Sequence, residues 1–452
     1  MSYHPGRQVL ERFARGEVLR HEARRIVNHL RSGCRTCQRE IDSLLPLGEA
    51  ALLPDPPPEL PFERELAGSW PKLDIQYLKS QFTRFERERQ EAPAAVAELL
   101  ALTACERQEA ARSDRRLWTL AVCDGVIDAS FRTGFDDPAR AVELAELAID
   151  LVQQVDAAGY DRTVITDLKG RAWSYLGNAR RISSDRRGAG EALDMAQSLM
   201  DEGSADPLEQ ARLLDFRASL AADRGRFEEA IELLDMIIDI YGEIHEPHRL
   251  GRALLSKGIV LGHRGDPEAA SALIRKSLPL LDRESEPRLL LWASHNFAWF
   301  TEEAGRPAEA LAQLESFAHL YDEYPDAAAH TRRLWLTGRI AAGLNRGAEA
   351  EAALREVQRR FSEQNLAYDA AVATMDLAAL LLSLGRSREV AALAAETFPI
   401  LVAQDVHHHA LAALVAFSHA VDLDCATPKL ARRVASYLLR ASRNPGLEFN
   451  AS

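Results

Sequence analysis

A forty-residue period constrains this chain more than any other feature of its sequence. Turn-forming residues stand at Gly225, Gly265, Gly305, Asn345 and Gly385, each forty residues after the last. The one substitute is asparagine, the non-glycine residue that best tolerates the left-handed backbone at a helix end. Seven residues before each turn comes a small side chain: Ala218, Gly258, Ala298, Gly338, Ala378. Five residues after it come Ala230, Ala270, Ala310, Ala350 and then Val390. Four further on stand Leu234, Ile274, Leu314, Leu354 and Ala394.

These columns predict a stack of helical hairpins. Small residues on both sides of the turn let the two helices of a pair approach closely, and the larger ones pack on the next pair. Segments such as 227–238 place apolar residues at helical spacing. One hairpin cannot bury its apolar face, so stacking creates the core.

The small residue, the turn glycine and the following alanine together resemble the tetratricopeptide repeat. The resemblance covers residues 205–400 closely and implies an all-α solenoid with a groove for a peptide or helix. The usual repeat has 34 residues, so a forty-residue period implies longer helices.

Upstream the register loosens. Ala129, Asp136 and Ala141 fit one repeat, and Gly177 with Ala192 fits another if residues 186–190 are an insertion. Residues 73–118 read as helices without a register. Segments 406–421 and 429–441 are expected to form a closing pair. The implied organisation is a head at 1–45, a linker at 46–72, irregular helical repeats at 73–204, regular repeats at 205–400 and capping helices at 401–452. The linker assignment rests on Pro46, Pro54, Pro56, Pro57, Pro58 and Pro61, which forbid helix.

The head carries one candidate metal site: His4, His29, Cys34 and Cys37. Residues 6–15 and 19–31 read as two antiparallel helices joined near Gly16, which returns the chain to its origin and brings His29 near His4. Gly33 ends the second helix, and Cys34 and Cys37 present both sulfurs from the following turn. Two thiolates and two imidazoles suit tetrahedral Zn2+, and four protein ligands leave no open position, so the site is expected to be structural. His21 is the alternative fourth ligand. A module this small buries too little to fold readily alone, and zinc would supply much of its stability.

The stretch resembles the zinc-binding anti-sigma factor domain of bacteria: a first His, a Gly-acidic turn at Gly16 and Glu17, and then His29, Cys34 and Cys37, with one extra residue between His29 and Cys34. That resemblance implies a sigma factor as partner. It also implies, for some members, release of the partner when thiol oxidation ejects zinc. Related modules serve as plain structural heads on larger proteins, and the proline linker stands where sigma-binding helices usually follow.

Composition narrows the rest. Hydrophobic residues make up 47% and aromatic residues 7% of 452 positions. The net charge of −13 argues against bulk binding to nucleic acid or an anionic membrane. Nine Arg against five acids give residues 1–45 a charge of +4, leaving −17 for the remainder. No stretch is apolar enough to span a bilayer, so a cytoplasmic protein is expected. Cys105, Cys123 and Cys425 read as buried apolar residues. Five head arginines (Arg24, Arg25, Arg31, Arg35, Arg39) lack the interleaved aromatics of a nucleic-acid platform. His407, His408 and His409 read as a polar helix face. No phosphate loop, nucleophile elbow or paired-carboxylate signal points to an enzyme. The chain therefore reads as a regulatory interaction adaptor. Its alternatives are a scaffold stapled by zinc and a thiol sensor in which Cys34 and Cys37 pair on metal loss.

Overall fold

The computed structural model describes residues 5–14, 18, 26, 29, 30, 35–44, 75–134, 136–156, 159–324, 326–364, 366–393, 395, 408–441 and 449. Every regular element among them is helical. They fall into two compact units: 1–185 with 194–205, and 186–193 with 206–452.

In the first unit, α1 (Arg7–Ala14) packs against α2 (Arg35–Leu44). Then come α3 (Ile75–Ala101), α4 (Ala104–Ser113), α5 (Leu120–Thr133), α6 (Pro138–Gln154) and α7 (Arg162–Ile182). α4 starts with a capping box in which Thr103 and Glu106 satisfy each other's backbone donors. α5 and α6 form a hairpin whose small residues Ala129 and Ala141 are buried. The buried Ser130 hydroxyl donates to the Ala141 carbonyl at 2.7 Å and ties the two helices together. Arg107, almost wholly buried, pairs with Glu143 at 2.6 Å and also reaches the Leu102 carbonyl beyond the end of α3.

α8 (Arg186–Glu202) follows and contributes residues to both units. Residues 186–190 lie inside this helix, so the expected insertion does not exist. The turn is at Ser184, whose φ of +69° is the left-handed conformation that glycine supplies elsewhere. From Ser184 the columns fall on Gly177 and Ala189 rather than Ala192. A serine in the turn slot hid the register.

The second unit is the regular array. Its pairs are α9 (Pro207–Asp223) with α10 (Phe227–Glu243), α11 (Pro247–Arg264) with α12 (Pro267–Ser277), and α13 (Pro287–Glu303) with α14 (Pro307–Ser316) and α15 (Ala318–Glu323). Then come α16 (Ala327–Gly343) with α17 (Gly347–Glu363), and α18 (Ala367–Ser383) with helical residues 387–393. α19 (His408–Asp422) and α20 (Pro428–Ala441) close the chain, with α20 packed on α18.

The turn column behaves as its chemistry requires. Gly225, Gly265, Gly305, Asn345 and Gly385 have φ of +72°, +105°, +77°, +59° and +72°. In each case the next residue donates its N–H five residues back, as Asp266 does to Leu261 at 3.0 Å, which satisfies a carbonyl the helix end would leave bare. The small column also has a steric reason. A Cβ at Gly258 would stand 2.6 Å from Ile274 Cγ1 and 3.2 Å from the Ala270 carbonyl oxygen of the paired helix.

First helices form the inner layer. α11 meets α13, α13 meets α16, and α16 meets α18, while second helices meet one another less among the described residues. A Cβ at Gly262 would fall on the Phe300 ring of the next first helix. Second helices are braced from outside: Arg306 donates to Ser271 at 2.8 Å and Arg386 to Glu351 at 2.6 Å, each reaching the preceding pair.

Candidate functional site

Chemistry-bearing side chains gather on the first helices α11, α13, α16 and α18. Counting back from each turn explains why. Thirteen residues before successive turns stand Arg212, Arg252, Trp292, Arg332 and Val372, and six before the same turns stand Ser219, Ile259, Trp299, Arg339 and Ala379. Positions seven apart share a helix face, so each column forms a row across the inner layer.

At the turn end of that face, Arg339 lies 2.8 Å from Glu302, 3.3 Å from Glu303 and 3.6 Å from Asp376. It thereby joins α13, α16 and α18. Its guanidinium also covers the Trp299 ring at 4.2 Å, and Trp299 meets Trp335 edge to face at 5.0 Å. Trp335 continues to Phe361 and donates its indole N–H to Asp376 at 2.8 Å. Burial raises the Asp376 and Glu303 carboxyls above the ordinary range despite the arginine, and neighbouring carboxylates add to the effect. Burial also opposes charge on Arg339, but Glu302, Asp376 and Glu303 outweigh it and tighten the guanidinium's hold on its proton.

At the opposite end of the face the balance reverses. Arg332 is exposed, and its guanidinium stands over the half-buried Trp292 ring at 5.2 Å. Among the described residues it makes no ion pair. Arg333 lies over the Tyr321 ring at 5.1 Å, and Arg252 pairs with Glu286. Beneath them His295 is buried, with Nδ1 2.8 Å from the Tyr321 hydroxyl. Burial, aided by the charge of Arg332, pushes His295 down to about 3, so the ring is neutral where it meets the tyrosine hydroxyl.

The head places two of its four expected ligands. His29 and Cys37 are both buried, at 7% and 3% exposure, and Cys37 belongs to a small apolar cluster with Leu10, Ile26 and Leu30. His4, Cys34, the alternative His21 and Gly33 lie outside the described residues, as does the whole linker at 46–72. Cys37 sits in α2 rather than in a turn, because Cys37, Ile41 and Leu44 recur at helical spacing and face the cluster.

Other assignments divide. Cys123 is buried and its thiol is pushed up by burial, but Cys105 and Cys425 are exposed. Cys105 lies in the first turn of α4, on its solvent side, and Cys425 lies in the turn ahead of α20. Arg39 is exposed, while Arg24, Arg25 and Arg31 lie outside the described residues. Arg35 begins α2, and His408 and His409 open α19, with His407 outside.

With the hairpins, left-handed turns and inner layer established, comparison is informative. Residues 209–283 match the Tetratricopeptide repeat family model. This segment is a tetratricopeptide-repeat segment. The tetratricopeptide array also has likenesses among solved structures. A Rap protein complexed with Competence and Sporulation Factor superposes with a TM-score of 0.51 at 14% identity, over 72% of this chain and 92% of that one. Aspartyl phosphate phosphatase F from Bacillus subtilis gives 0.49 at 12% identity, over 88% and 95%. NprR in complex with its cognate peptide NprX gives 0.48 at 14% identity, over 66% and 83%. At these identities the likeness concerns fold. No curated protein matches the sequence. Among the described residues no helix is long and apolar enough to cross a membrane.

Sequence reasoning missed the inner face because its columns are mixed in chemistry: one holds Arg, Arg, Trp, Arg and Val, another Ser, Ile, Trp, Arg and Ala. The signal lay in counting non-core columns at the same interval.

Proposed function

We propose that the chain is a non-enzymatic regulatory adaptor whose tetratricopeptide array receives a peptide or helix of a protein partner on its first-helix face. The observation that carries this reading is the exposed Arg332 stacked on half-buried Trp292, held in an inner layer that rigid second helices support from behind. Such an aromatic and guanidinium pair offers apolar area and directed donors at low entropic cost. The Rap protein of similar fold was crystallised with Competence and Sporulation Factor, and a bound factor accords with this reading. A partner captured from the native host should be lost from Trp292→Ala and retained by the exposed second-helix variant Met236→Ala. Equal retention by both would remove the proposal.

We also propose one structural zinc per chain at His4, His29, Cys34 and Cys37, a reading that accords with the burial of His29 and with that of Cys37 beside Leu10, Ile26 and Leu30. The resemblance of the head names a sigma factor as the first partner to try. Residues 1–90 should then pull one down, and Cys34→Ser should abolish it. If deletion of the head leaves partner binding intact, recognition belongs to the array and zinc is a staple. A thiol sensor would release zinc under peroxide with loss of two thiols, and retention of metal would dismiss that role.

A further inference from the structure

The inner face is electrostatically divided, and the division selects the chemistry of the partner. The first halves of α11, α13 and α16, residues 247–255, 287–295 and 327–335, carry Arg249, Arg252, Arg288, Arg332 and Arg333 and no acidic residue. Acidic side chains of these three helices, Glu302 and Glu303, stand only at the turn end, where Arg339 engages them. One outer helix is opposite in sign: α10 exposes Glu228, Glu229, Glu232, Asp235, Asp239 and Glu243. Acids flanking the strip pair with four of its arginines, Glu246 with Arg249, Glu286 with Arg252, Asp326 with Arg288 and Asp322 with Arg333; in a chain of net charge −13, the remaining cation, Arg332, is where a negative segment would settle.

We infer that this strip binds an acidic peptide in polyproline II conformation, with carboxylates on Arg252 and Arg332 and an apolar or aromatic side chain between them on Trp292. The inference rests on the groove reading above and narrows it. Its geometric basis is pitch. Packed helices lie about 8–10 Å apart. A polyproline II chain rises about 3.1 Å per residue and points every third side chain to the same side, a repeat of about 9 Å. One helix spacing therefore matches three residues, and the fitting pattern is acid-x-x-apolar-x-x-acid. A β-strand, which alternates sides with period two, would turn its central residue away. Arg332 makes no ion pair among the described residues and already has its guanidinium plane set by Trp292, so a carboxylate there displaces no acid. Arg252 shares Glu286 with His248 and exchanges one carboxylate for another.

The probe is a fluorescein-labelled peptide, Gly-Pro-Glu-Pro-Pro-Phe-Pro-Pro-Glu-Pro-Gly, titrated by anisotropy against the full chain in 50 mM salt. It should bind at least ten-fold tighter than its Gln-for-Glu and Lys-for-Glu counterparts. Arg332→Ala should weaken it at least five-fold, and so should lengthening the Glu spacing by one residue. Equal binding of the Gln peptide, no effect of Arg332→Ala, or equal displacement by a single-stranded oligonucleotide would overturn the inference. In parallel, random dodecapeptides selected on the wild type are counter-screened on Trp292→Ala. Trp292-dependent binders without acidic residues would overturn the acidic assignment and leave the groove reading standing. Failure to find any Trp292-dependent binder would overturn both. Arg332 is exposed, so its variant should keep the wild-type circular dichroism.

Discussion

The guanidinium of Arg339 lies 4.2 Å over the ring of Trp299, a residue from the preceding pair of helices. The contact is one side of a cage completed by Glu302, Glu303 and Asp376, so one cation serves three partly buried acids.

Removing that cation should be costly. Arg339→Met leaves buried carboxylates without a counter-charge, a class of change that destabilises by about 3–5 kcal/mol. Urea unfolding should show it as a large fall in midpoint. Arg339→Lys should recover little, because a point charge cannot reach three acids and cover an indole. A midpoint within error of wild type for Arg339→Met would contradict this account.

The same cage sets a pH dependence. Glu303 and Asp376 hold protons more tightly folded than unfolded. Their stabilising effect is complete below the ordinary carboxylate pKa and is lost as pH rises through the raised folded values. Glu303→Gln should thus stabilise the protein at neutral pH and lose that advantage near pH 4. The check is a series of melts from pH 4 to 8 on wild type and variant.

His295 imposes the opposite slope. Its folded value of about 3 lies below the ordinary 6.5, so its contribution is present above pH 6.5 and declines as pH falls towards 3. His295→Gln should flatten the acid limb of the stability profile. Tyr321→Phe removes the 2.8 Å partner of Nδ1 and should cost about 1–3 kcal/mol.

Backbone predictions follow from the repeat. Gly258→Ala drives a Cβ against Ile274 and the Ala270 carbonyl, and overpacking of this kind costs about 1–3 kcal/mol. Gly265→Ala places a side chain at φ +105° and should cost about 1–2 kcal/mol. Asn345→Gly should be neutral or stabilising. Thermal melts of the three variants would rank them; a harmless Gly265→Ala would refute the role assigned to the turn.

Thiol accessibility gives a further test. In folded protein, Cys105 and Cys425 should react rapidly with an aromatic disulfide reagent, while buried Cys123 stays silent. If zinc is bound, a chelator should expose two more thiols, Cys34 and Cys37, and Cys37→Ser should lower the zinc content.

The helical array was legible because helix ends and helix contacts demand particular residues. A left-handed terminus demands Gly or Asn, and a close helix crossing demands Ala or Gly, so a strict interval betrays both. The turns between pairs were not legible. Ala205 and His245 take φ of +55° and +57° forty residues apart and share no chemistry. Acid-proline starts at Asp206–Pro207, Glu246–Pro247 and Glu286–Pro287 would have marked them, since proline suits the first helical position. The inner face was hidden for a different reason. A binding surface is not obliged to repeat, and Trp292 stands where its neighbours in register are Arg252 and Arg332. In the head, the expectation of a metal-bearing turn at Cys37 underestimated how strongly Cys37, Ile41 and Leu44 favour helix.

In a linear array each unit touches only its neighbours, and melting can run along it like a zipper. Arg339 breaks that independence by engaging α13 and α18 from α16 at once. The three units around it should let go together, as a single cooperative block, while those towards α9 remain able to fray one at a time.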